Sequence, residues 1–113
     1  MSSDRVVIIA GSVYGGTSSK SPDGTTAQVG DESSADGEVF NFCSISFGTR
    51  FKQMPALVAF LAPIDASNGA SYACNFVSWQ PDFSGVTIKF RRLTGGAGYN
   101  ASGLYFGFSV QGV

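Results

Sequence analysis

The stretch VTIKFRRL, residues 86–93, admits one regular structure. Val86, Ile88 and Phe90 alternate with Thr87, Lys89 and Arg91. A period of two places the first set on one face of a β-strand and the second on the other. A helix would scatter both sets round its circumference. Towards the C-terminus LYFGFSV repeats the pattern, with Leu104, Phe106, Phe108 and Val110 on one face and Tyr105, Gly107 and Ser109 on the other. No ten-residue segment carries a helical period, and turn signals recur about every ten to twelve residues. The chain is therefore predicted to be all-β, an antiparallel β-sandwich of six to seven strands.

The remaining strands follow from the same reading. Val6 to Ala10 is a β-branched run and a first strand. In GEVFNFCSISF, Val39, Asn41, Cys43, Ile45 and Phe47 alternate with Phe40, Phe42, Ser44 and Ser46. Ala56 to Leu61, preceded by Met54–Pro55 and ended by Pro63, is apolar on both faces and reads as a buried strand. Ala66 to Gly69 carries an Asn-Gly turn signal, and SYACNFVSW is a strand up to Trp79. Between Gly11 and Glu38 the chain has six glycines, six serines and three threonines and little to bury. That stretch is expected to be a long loop, with at most short edge strands around Val13–Tyr14 and Gln28–Val29. One domain results: residues 1–38 form the first strand and a polar segment packed on the domain, and residues 39–113 form the sandwich core.

Composition narrows the function. Charged residues make up 13% of the chain, about half the usual share, which suggests a surface partly covered by sister subunits or a larger assembly. The net charge of −1 and the lack of a basic face argue against nucleic acid as a partner. Six of the eight acids lie in the first 38 residues and five of the seven bases lie after residue 49. This segregation favours the N-terminal segment lying against the rest of the domain or against a neighbour. The apolar run in MSSDRVVIIAG is too short for a signal-peptide core and for membrane insertion. An extracellular or virion-surface location would be reached by another route, with cytoplasmic storage as the alternative.

Chemistry is harder to build. The chain has no histidine, which removes the commonest general base and the commonest zinc ligand. Cys43 and Cys74 cannot make a zinc site alone; they could pair, or remain buried thiols. Asp36, Glu38, Asp65 and Asp82 sit at turns or strand ends, and no spacing singles out a catalytic pair. TGGAGYNASG is Gly-rich but matches neither phosphate-binding fingerprint. No catalytic residue, metal or cofactor is expected. Binding by loops on a rigid sandwich remains. A sugar site needs a carboxylate or amide, donors and an aromatic ring, for which Asp36, Trp79, Arg91, Arg92, Tyr99 and Asn100 are the candidates.

An ordered series from Asp36 onward resembles the H-type lectin domain of snail agglutinins and discoidins. SISF is followed by RFKQMPALVAFLAPID, where a proline precedes a hydrophobic strand ending in Ile64–Asp65. Then come ACNFVSW, FSGVTIKF and the closing YNASGLYFGFSVQG. The likeness covers about two thirds of the chain. It implies a homotrimer with sites between protomers for glycans of the galactose or N-acetylgalactosamine class. Position by position, it places Asp36 with Gly37 at the family's sugar-binding aspartate and Tyr99 at its aromatic contact. Thr94 and Asn100 complete the set of carbohydrate-binding candidates. The family's arginine falls near Ala73, its aromatic–histidine pair near Leu93 and Thr94, and its disulfide has no counterpart. Related domains form trimeric tips of phage tail fibres, so the alternative is a structural or receptor-binding tip without a sugar site.

Overall fold

A computed structural model describes residues 5–14, 18–64, 70–94 and 103–113; of residues 18–20, 35 and 94 it describes the backbone alone. The described residues form eight strands and no helix. They are β1 (Val7–Tyr14), β2 (Ser18–Lys20), β3 (Thr26–Ala35), β4 (Glu38–Ser46), β5 (Ala56–Pro63), β6 (Ser71–Trp79), β7 (Gly85–Thr94) and β8 (Leu104–Gly112). Two antiparallel sheets result, one of three strands in the order β1-β8-β5 and one of five in the order β2-β3-β4-β7-β6. The all-β sandwich is as the alternation required.

The core lies between the sheets. Ile9, Val13, Leu61, Phe106 and Val110 come from the smaller sheet, and Cys43, Ile45, Val86, Ile88 and Phe90 from the larger. These inward residues sit at every second position, and Phe90 meets Phe106 edge-on at 5.8 Å between ring centroids. Phe47, Phe51, Trp79 and Phe83 close one end of the core: Phe47 stands 5.2 Å from Phe51 and 6.4 Å from Trp79. Trp79, a sugar-stacking candidate, is thus half-buried against core aromatics.

Beyond β1 running on to Tyr14 and the short β2, two strands differ from expectation. The segment read as a loop contains β3, ten residues long, because Ala27 and Val29 are buried opposite Ile45 and Cys43. The pairing then slips: Val29 faces Cys43 but Glu32 faces Asn41, so Gly30 and Asp31 together span one position of β4. A side chain at residue 30 would press within 2.9 Å of the Phe42 carbonyl oxygen, which explains glycine at the bulge. The buried Asn41 donates from Nδ2 to the Gly30 oxygen at 2.8 Å and pins the bulge. The second difference is β5, read as buried on both faces. It is an edge strand of the smaller sheet, and Val58 on its outward face is 71% exposed.

Candidate functional site

Register decides which loops share an end. Phe40 stands opposite Arg91 and Ser71 opposite Thr94, so the start of β4, the end of β7 and the start of β6 lie together. Pro63 stands opposite Leu104 in the other sheet. The chain therefore crosses between sheets at this end from Pro63 to Ser71 and from Thr94 to Leu104. The β3–β4 turn belongs to the same end. Val7 and Gly112 pair at the far end, so the first and last strands begin and finish away from these loops.

Asp36 and Gly37 form the two-residue turn between β3 and β4, with φ of 52° and 80°. Positive φ at both central positions matches the right-handed twist of a hairpin, and Asp-Gly is a preferred pair for it. Both residues are exposed. Asp36 thus has a structural task as well as a carboxylate free to face solvent. Thr94 ends β7 with its backbone opposite Ser71. Its side chain, together with Tyr99 and Asn100, lies outside the described residues, as does the Ala66–Gly69 turn.

Beside the turn the charges are paired. Glu38 accepts from Asn75 Nδ2 at 3.0 Å and lies 3.4 Å from Lys89 Nζ. Lys89 also sits 4.9 Å above the Phe40 ring. On the inward face Glu32 accepts from the Tyr72 hydroxyl at 3.0 Å and lies 3.3 Å from Arg92 Nε. Sequence reasoning offered Arg92 as a sugar contact, but this carboxylate engages it. Acids of the N-terminal segment thus meet bases of β7, as the segregation of charge suggested. Arg91 is exposed on the outward face, in one row with Phe40 and Ala73. Asp82, at the opposite end, accepts from the Ser84 backbone N–H at 3.1 Å, and its bonds to Ser84 hold its carboxyl below the usual value.

Of the concavities elsewhere, two lie on or beside the sheets. On the outer face of the larger sheet, at the far end, Thr26, Gln28, Ser44, Ser46, Gln80 and Thr87 line an open hollow of about 330 Å³ with no charged group. Between the edges of β5 and β6 the sandwich gapes, and Leu57, Ala59, Cys74, Val77 and Trp79 line an apolar cleft of about 390 Å³. Neither was marked in the sequence. Alternation of Thr26, Gln28, Ser44 and Ser46 was a usable signal for the first, had β3 been recognised. Among the described residues no group of three thiols or carboxylates converges as metal ligands.

Both cysteines are free thiols. Strand β7 separates them, and two strand spacings, about 9–10 Å, exceed a disulfide's reach. The chain matches no protein-family model, and neither a curated protein nor a solved structure proved similar to it.

Proposed function

We propose that the protein binds neutral glycans of the galactose or N-acetylgalactosamine class at its loop end, as a homotrimer and without catalysis. The observation that carries this reading is the register. It brings the Asp36–Gly37 turn to the end where β7 finishes at Thr94 and the segment bearing Tyr99 and Asn100 begins. The Asp36–Gly37 turn and the Thr94 backbone, far apart in the chain and matched to the H-type lectin pattern on other grounds, share one end of a rigid scaffold. The Asp36 carboxylate would accept hydroxyl hydrogen bonds, Tyr99 would stack on the C–H face of the sugar, and Asn100 and Thr94 would orient it. Ala73 stands where the lectin family has arginine, yet its register partner Arg91 offers a guanidinium from the neighbouring strand.

The test is a glycan array probed with the wild-type protein and with Asp36→Asn, which keeps the turn and removes the charge. Hydrogen bonds to a charged group contribute about 1.5–3 kcal/mol, so affinity should fall at least about tenfold. No signal above background for the wild-type protein would dismiss the reading.

The second reading is a structural or receptor-binding tip domain of a larger fibre. It is favoured by the placement of β1's start and β8's finish at the end opposite the loops. A domain joined to a shaft there would present its loops outward. Binding to a protein receptor with a blank glycan array would select it.

A further inference from the structure

The two sheets differ in charge. No residue of β1, β5 or β8 is charged, whereas the charged strand residues, among them Asp31, Glu32, Glu38, Lys89 and Arg91, all belong to the larger sheet. At an ordinary quarter of residues charged, three strands of this length would carry about six charges. Their inward positions are the core; apart from Gly107, which lies under the Phe60 ring, their outward positions are partly or largely exposed. The outward rows, read across β1-β8-β5, are Ile8–Gln111–Ala56, Ala10–Ser109–Val58, Ser12–Gly107–Phe60 and Tyr14–Tyr105–Ala62. Ile8 is 64% exposed, Tyr14 58% and Phe60 48%.

We infer that this face is where copies of the chain meet. The inference rests on the self-assembly part of the reading above and not on the sugar. Three observations carry it. Taking about 150–250 Å² for a whole aromatic side chain, the open parts of Ile8, Tyr14, Val58 and Phe60 amount to on the order of 500 Å². That is already the size of the largest apolar patch on a typical monomer, about 300–600 Å². The small residues between them, and the cleft that continues round the β5 edge to Val77, bring the surface towards the roughly 800 Å² per partner of a standard interface. Second, β1 and β5 are both edge strands, and neither carries the charges that guard a free edge against pairing. Third, the occupant of an uncharged apolar face must itself be uncharged and apolar. This face is such a surface, every copy presents it, and copies arranged about a symmetry axis can bury their equivalent faces together.

Light-scattering mass measurement on the full chain tests the inference. The wild-type protein should have a mass that is a multiple of 11.8 kDa. Val58→Lys on β5 and Ser12→Lys on β1, both at exposed positions, should each drop to 11.8 kDa with unchanged far-ultraviolet circular dichroism. Thr87→Lys, on the outer face of the other sheet, should keep the wild-type mass. A wild-type mass of one chain at micromolar concentration overturns the inference. So does a folded Val58→Lys or Ser12→Lys variant that stays assembled, or a Thr87→Lys variant that falls apart as they do. Glycan binding is read separately: a protein that assembles through this face but binds no sugar removes the lectin reading and leaves the interface standing.

Discussion

The ring of Phe60 lies across Gly107, its register partner on β8, so that a Cβ on residue 107 would be driven into the ring edge. Glycine is needed there for the close approach of that aromatic, not for a special backbone angle. The ring in turn meets Tyr105 edge-on at 5.5 Å. Gly107→Ala should displace Phe60 and cost about 1–2 kcal/mol, the usual scale for an added methyl in a filled site. In a Phe60→Ala background the same change should be near neutral. A double-mutant cycle in urea measures the coupling; additive effects would show that the two positions do not share this contact.

The hairpin turn makes a second case. Gly37 holds φ of 80°, which an L side chain adopts with strain, so Gly37→Ala should lower stability by about 1 kcal/mol. Asp36, at φ of 52°, should tolerate asparagine with little change, since asparagine enters the left-handed region readily. Thermal melts of the two variants check this. An Asp36→Asn variant as unstable as Gly37→Ala would mean that the carboxylate itself supports the fold.

The two thiols should react unequally. Cys43 is fully buried, and desolvation pushes its pKa from 9.0 up to about 12, while Cys74 is exposed on the β6 edge. In the single-chain Val58→Lys variant, where no partner covers the cleft beside Cys74, a thiol reagent at pH 8 should label one cysteine per native chain and two after denaturation. The pH dependence follows with its sign. Below about pH 9 both states keep the Cys43 proton and its contribution to stability is constant. Between about 9 and 12 the unfolded chain releases that proton and the folded one retains it, so stability falls as pH rises. Urea midpoints across this range should fall less steeply for Cys43→Ala than for the wild type.

Glu32 ties β3 to β6 and β7 through Tyr72 and Arg92, across the inward face of β4. With side-chain exposures of 15% for Glu32 and 19% for Arg92, the pair is shielded from much of the solvent. Glu32→Gln should lower stability by about 1–2 kcal/mol, as a hydrogen-bonded charge is exchanged for an amide. Chemical denaturation reads this directly, and an unchanged midpoint would assign the cluster no structural weight.

Legibility in the sequence followed local burial. Strand β7 could be read because it lies between two partners and buries every second side chain. Strand β3 could not: only Ala27 and Val29 announce an inward face before the bulge at Gly30 and Asp31 resets the period. Strand β5 misled for a different reason. Its outward residues Val58 and Phe60 are apolar enough for a buried strand, and local pattern does not distinguish a face covered by its own chain from one left open. At the site, Asp-Gly is itself a hairpin signal, in keeping with the sequence reading of Asp36 as an acid at a turn or strand end. The gathering of Asp36 with Thr94 is a matter of register between strands, which chain order alone does not reveal.

The most direct test of sugar binding at the loop end is an amide nuclear magnetic resonance titration of the wild-type protein with N-acetylgalactosamine and with galactose. The account expects saturable shifts at Asp36 and Gly37, at Thr94, and at Tyr99 and Asn100, with little change elsewhere. No shifts, or shifts confined to the hydroxyl-lined hollow around Thr26, Ser44 and Thr87, would contradict it.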